Sequence, residues 1–161
     1  MKNQRGLILI ELIAVLVLIG IIGTFTTYFL YTGLNGYLKT KNTSEGAMDA
    51  QMALDRISHE FRNLDYFTSP LVPNSSLSYT SEILTGTRAL IYNSNTIWIR
   101  IGAEDYKLLE KVDDFTLSAA AQDLNADGVD DVAFIEVGFK VNEIGKEFKT
   151  KIFPRHMVKN K

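Results

Sequence analysis

The stretch Leu7–Leu30, LILIELIAVLVLIGIIGTFTTYFL, sets the architecture of this 161-residue chain. Its 24 residues carry a single charge, on Glu11. As an α-helix the stretch would be about 36 Å long, enough to cross a bilayer core of about 30 Å. Lys2 and Arg5 precede it, and the next basic residue is Lys39. This asymmetry favours one membrane pass, with the N-terminus in the cytoplasm and the remaining chain outside.

Two ordinary interpretations of this stretch are weak. A secretory signal has an apolar core of about 7–15 residues followed by a small-residue cleavage site, whereas this run is longer and no such site follows it. A plain membrane anchor leaves Glu11 unexplained. A carboxylate in an apolar helix costs several kcal/mol unless it is paired or near the interface, so Glu11 is a candidate functional residue.

Residues 5–12, RGLILIEL, resemble the cleavage and methylation signal of type IV prepilins. In that signal a short basic leader ends in Gly, an apolar residue follows, and a Glu stands at the fifth position of the mature chain. Gly6, Leu7 and Glu11 occupy these places. The family usually has Phe where this chain has Leu7, and often Pro where it has Tyr28.

The resemblance implies that a prepilin peptidase cuts between Gly6 and Leu7 and methylates the new amine of Leu7. In a filament, Glu11 of one subunit would pair with the Leu7 amine of a neighbour. Each charge is costly alone in an apolar medium, and pairing relieves both. Glu11 is therefore expected to act in assembly, with other pilin or pseudopilin subunits and an inner-membrane assembly platform as partners.

Beyond Leu30 the chain becomes more polar, and apolar residues recur at helical spacing. The stripe comprises Ala47, Ala50, Leu54, Ile57, Phe61 and Leu64. The opposite face carries Asp49, Asp55, Arg56, His59 and Arg62. Residues 31–66 are therefore expected to continue the helix as an amphipathic segment. Residues 53–62 also loosely resemble the corresponding helix of minor pilins and secretion pseudopilins.

Residues 76–161 have the shorter periodicity of β-strands. Six strands are predicted, at Arg88–Tyr92, Thr96–Ile101, Asp105–Leu109, Asp114–Ala119, Asp131–Val141 and Glu147–Phe153. Short consecutive strands predict an antiparallel sheet with one face on the helix stripe.

The predicted fold class is therefore α+β: a long N-terminal helix, membrane-spanning in its first half and amphipathic in its second, packed on a C-terminal antiparallel β-sheet. Its parts are a leader at 1–6, a membrane or filament-core helix at 7–30, the amphipathic continuation at 31–66, and a periplasmic β-rich domain at 76–161.

Composition excludes several kinds of chemistry. The chain has no cysteine, which rules out disulfides, thiolate zinc sites and cysteine nucleophiles. Its net charge of −2 shows no basic footprint for nucleic acid. His59 and His156 have no suggestive partner in the sequence, and neither a phosphate-binding loop nor a nucleophile elbow is present. The sequence therefore predicts a protein that is not an enzyme.

The segment Asp123–Asp131 is the exception, because it reads D-x-N-x-D-G-x-x-D. Oxygen ligands at alternate positions, with Gly128 allowing a tight turn, are typical of a calcium loop. The predicted ligands are Asp123, Asn125, Asp127, the Val129 carbonyl and Asp131. An EF-hand would have a Glu where this chain has Phe134, and its flanks would be helices. The alternative is a solvated hairpin turn, since Asp-Gly favours hairpins without any metal.

The predicted function is structural: a minor pilin or pseudopilin of a type IV pilus or type II secretion filament. Such a subunit would first lie in the bacterial inner membrane and then in a periplasmic or cell-surface filament. The alternative is a single-pass membrane protein with a periplasmic binding domain that does not polymerise. Cleavage after Gly6 distinguishes the two.

Overall fold

A computed structural model describes residues 4–126, 128, 130–142, 144–155 and 158. For residues 4–8 it describes the backbone alone. The chain divides into two compact units, Met1–Asn42 and Thr43–Lys161. Helix α1 is followed by two antiparallel sheets, which confirms the predicted α+β class.

The first unit is the N-terminal part of helix α1, which runs from Gln4 to Arg62. Every described side chain from Leu9 to Asn42 is exposed, although most residues up to Leu30 are apolar. By length and composition, this helix is able to cross a membrane. A single membrane pass near the N-terminus is therefore consistent with the structure.

The second unit begins with the amphipathic part of α1. Ala50, Leu54, Ile57 and Phe61 are at most 6% exposed, so the predicted stripe is the buried face of the helix. These side chains belong to one apolar cluster with residues of both sheets. The helix packs on the sheets because its stripe would otherwise leave large apolar side chains in water.

Helix α1 ends at Arg62, earlier than the predicted boundary at residue 66. The side-chain amide of Asn63 donates to the His59 carbonyl at 2.9 Å, which satisfies a carbonyl at the helix end. Residues Leu64–Phe67 then form strand β1. Leu64, the last member of the predicted stripe, is therefore buried as a residue of strand β1 and not of the helix.

The first sheet has five strands in consecutive order, all antiparallel: β1, β2 (Ser76–Ser81), β3 (Thr87–Asn93), β4 (Thr96–Ile101) and β5 (Glu104–Glu110). Strands β1 and β2 were not predicted. Most of β1 lies within residues 31–66, which were expected to be helical. Strand β2 is rich in serine, but it buries Leu77 and Tyr79 at alternate positions.

The second sheet has three antiparallel strands in consecutive order: β6 (Val112–Gln122), β7 (Asp131–Val141) and β8 (Glu147–Ile152). The strands predicted as one sheet thus form two. The break falls at Lys111, whose φ of 60° is in the left-handed region. This conformation interrupts the extended backbone of β5, and the next residue, Val112, begins the second sheet.

Candidate functional site

The exposed apolar helix is the most conspicuous surface of the molecule. Large side chains such as Leu16, Ile19 and Phe29 are 60–76% exposed. A contiguous apolar surface of this length is not stable against water and requires either lipid or another protein. The helix is therefore a candidate surface for a membrane, for a partner, or for each in turn.

Two threonine hydroxyls in the apolar stretch up to Leu30 are already satisfied by the backbone of the helix. Thr24 donates to the Gly20 carbonyl and Thr27 to the Gly23 carbonyl, each at 2.9 Å. A hydroxyl bonded to the carbonyl one turn earlier does not need water. These threonines therefore do not oppose burial of the helix in an apolar environment.

The predicted processing junction lies at the start of this helix. Gly6 and Leu7 are helical in backbone, and Glu11 follows Leu7 by about one turn, or about 6 Å along the axis. The Glu11 side chain is exposed among apolar neighbours. The one carboxylate of the apolar stretch is thus presented outward, where a second molecule can reach it.

The acidic loop connects β6 to β7. Asp123 accepts a hydrogen bond from the Gly128 amide through Oδ2 at 3.0 Å. Ala126 and Gly128 have φ values of 57° and 81°, so the backbone is in the left-handed region at both positions. Of the predicted calcium ligands, Asp127 and Val129 lie outside the described residues.

Asp131, the last predicted ligand, has an unusual environment. It is fully buried, and neither of its carboxylate oxygens has a hydrogen-bond partner among the described residues. It pairs in register with Gln122, the last β6 residue before the loop, so its carboxylate is buried at the base of the loop. In the described part of the chain, no three His, Cys, Asp or Glu side chains converge as a metal site, but Asp127 is not in that part.

Sequence reasoning missed a buried ionic cluster centred on Glu60, which is 1% exposed. Arg88 on β3 makes two bonds to its carboxylate, from Nε at 2.7 Å and from Nη2 at 2.9 Å. Tyr79 on β2 donates to the same carboxylate at 3.2 Å, and Arg56 approaches it to 2.7 Å. The pKa of the Tyr79 phenol is raised far above its usual range, mainly by burial and secondly by the negative charge of Glu60. The phenol is therefore a neutral donor at physiological pH.

A signal for this cluster was present in the sequence. Glu60 falls between Ile57 and Phe61 on the apolar side of the helix, where a carboxylate is costly unless it is paired. The cluster joins α1 to the first sheet and is structural in character. His59, next to Glu60 in the sequence, is exposed, and His156 lies outside the described residues.

No family model, curated protein or solved structure matches this chain. The features that carry a functional argument are therefore its own: the exposed apolar helix, Glu11 within it, and the acidic loop ending at a buried carboxylate.

Proposed function

We propose that this chain is a structural subunit of a type IV pilin-like filament, as a minor pilin or a type II secretion pseudopilin. The observation that carries the proposal is Glu11, an outward-facing carboxylate one helical turn after the Gly6–Leu7 junction in an otherwise apolar exposed helix. The junction and the carboxylate together match the prepilin signal. A simple anchor requires neither.

In the first stage the helix lies in the bacterial inner membrane. Its apolar side chains contact lipid, and the back-bonded Thr24 and Thr27 hydroxyls need no water there. Lys2 and Arg5 keep the leader in the cytoplasm, where a prepilin peptidase acts on the junction. The C-terminal domain is then in the periplasm.

In the second stage, helices of neighbouring subunits replace the lipid. Lipid tails are about as apolar as leucine, so this exchange has little hydrophobic driving force of its own. Packing and polar pairs must therefore select the correct arrangement. A bond between Glu11 and the Leu7 amine of a neighbour satisfies both charges in only one axial register. The proposed partners are thus the peptidase, an inner-membrane assembly platform and other pilin or pseudopilin subunits.

Processing is the direct test of this proposal. Co-expressed with an active prepilin peptidase, the chain is expected to begin at Leu7 and to carry one methyl group on that residue's amine. Intact-mass and peptide mass spectrometry of the membrane fraction measure both changes. Gly6→Val is the matched control, because a branched side chain at the cleavage position should leave the leader attached without altering the helix after it.

An intact Met1 terminus beside an active peptidase would contradict the filament proposal. It would favour the alternative, a single-pass membrane protein whose periplasmic domain binds a partner without polymerising. Loss of the leader in the Gly6→Val variant as well would indicate a protease that does not read this junction.

A further inference from the structure

We propose that the loop closing the β6–β7 hairpin is a Ca²⁺ site and that Asp131 is its principal ligand. The loop residues 123–130 leave and rejoin the ladder at the Gln122–Asp131 pair, and the Asp131 carboxylate is buried at that point. Both of its oxygens are without a hydrogen-bond partner among the described residues. This inference does not depend on assembly of the chain into a filament.

A buried carboxylate without a partner is strongly unfavourable, so a compensating group is expected. The lysines of β7 itself and of β8 already have other partners. Lys149 and Lys151 contact Glu136, and Lys140 bonds to Asp114 at 2.7 Å. A cation bound at the loop would supply the missing compensation for Asp131.

The donor set selects the kind of cation. Carboxylate, amide and carbonyl oxygens at alternate positions suit a hard cation, and the chain has no cysteine to favour a soft one. Asp123 and Asn125 are on the described part of the loop, and Asp127 and Val129 complete the pattern in the sequence. Flexible coordination by six to eight oxygens is typical of Ca²⁺, whereas Mg²⁺ requires a tighter octahedral shell.

The pattern also departs from an EF-hand in a way that assigns a role to Asp131. The position of the EF-hand glutamate is occupied by Phe134, whose ring packs 6.0 Å from that of Phe153. That glutamate normally supplies two oxygens to the ion. Asp131 has two unpartnered oxygens at the base of the loop and can supply them instead.

Calcium binding would stabilise the central strand of the second sheet. Asp131 is the first residue of β7, and Val132 and Ile135 of the same strand are buried in the core, at most 2% exposed. An unneutralised charge at this position would weaken the start of the strand. A bound ion would instead close the hairpin.

The test uses the full-length chain in detergent micelles, with CaCl₂ as the probe. Calorimetric titration measures binding, and the fluorescence of Trp98, the single tryptophan, follows thermal unfolding. The wild-type midpoint is expected to rise by about 10 °C when Ca²⁺ is about a hundredfold above its Kd. MgCl₂ at the same concentration is expected to give a much smaller shift.

Asp131→Asn tests the role of the buried charge, because it keeps the shape of the side chain. Without calcium this variant is expected to melt above the wild type, since it removes an unpaired buried charge. With calcium the order should reverse, since its affinity falls by at least tenfold. Asp130→Asn is the matched control: it removes an adjacent, exposed charge outside the alternating ligand positions, and its calcium response should remain that of the wild type.

An absence of binding heat together with an unchanged midpoint would overturn the proposal. A wild-type calcium response in Asp131→Asn would also overturn it, because the ion would then be bound elsewhere. If Asp131→Asn is recovered unfolded, Asp123→Asn replaces it in the experiment. Full calcium affinity in Asp123→Asn would likewise overturn the proposal.

Discussion

Replacing Arg88 by Ala is expected to lower the free energy of unfolding by about 3–5 kcal/mol, because it leaves the buried Glu60 carboxylate without its main partner. Glu60 is 1% exposed and Arg88 is 4% exposed, so water cannot solvate the remaining charge. Among the described residues, Arg56 also pairs with Glu60, but its side chain is 47% exposed and only partly desolvated. A small domain has about 5–15 kcal/mol of stability in total, so this loss is large.

Chemical unfolding of the full-length chain in micelles, followed by Trp98 fluorescence, measures the effect. The sequence offers a matched control on the next strand of the same sheet. Arg100 makes the same two-bond contact with Asp105, at 2.6 and 2.8 Å, but both side chains are more than 40% exposed. Arg100→Ala is therefore expected to leave the unfolding midpoint almost unchanged, because solvent screens an exposed pair.

Comparable losses in the two variants would show that burial of the Glu60 pair has no special energetic role. A double replacement, Glu60→Leu with Arg88→Met, removes both charges of the pair at once. It is expected to recover most of the lost stability, because two apolar side chains leave no unpaired charge in the core. The loss in Arg88→Ala alone would then be the cost of the orphaned carboxylate.

Glu11→Val is expected to reduce incorporation into filaments by at least about tenfold while leaving membrane insertion intact. Removing one member of a buried charge pair costs about 2–5 kcal/mol at an interface, and about 1.4 kcal/mol corresponds to a factor of ten. Insertion itself should not suffer, because the change removes a charge from an apolar helix. Immunoblots of sheared filaments and of the membrane fraction measure the two effects separately.

Two variants of the same helix control this experiment. Glu11→Asp keeps the charge and should restore part of the incorporation. Asp49→Val removes an exposed carboxylate from the polar part of the helix and should behave as the wild type. Filaments containing Glu11→Val at the wild-type level would mean that Glu11 does not sense the neighbouring subunit.

Much of the architecture could be predicted because local pattern and burial agree in this chain. The composition of the long apolar run of α1 is enough to predict that it lies in an apolar environment, either lipid or protein. The helical stripe predicted the buried face through Ala50, Leu54, Ile57 and Phe61. Strands β4 and β7 alternate only in part, but this was enough for their positions to be found from periodicity.

The acidic loop shows where such reasoning ends. The sequence of Asp123–Asp131 is compatible both with a calcium loop and with a polar hairpin, and ligand spacing alone does not distinguish them. The burial of Asp131 was not foreseeable, because the charged end of a strand is usually solvated. In the folded chain the Val158 carbonyl accepts a hydrogen bond from the Val132 amide at 2.7 Å, so a segment distant in the sequence lies beside the start of β7.

The membrane-like helix, its lone carboxylate and the amphipathic stripe follow from the order of residues, since each depends on neighbours within a few helical turns. The division into two sheets and the Glu60–Arg88 pair required the folded chain. Lys111 breaks the strand through a backbone angle that its side chain does not predict. Glu60 meets Arg88 across 28 positions of sequence, and a contact between residues so far apart is set by the packing of helix on sheet, which no local pattern contains.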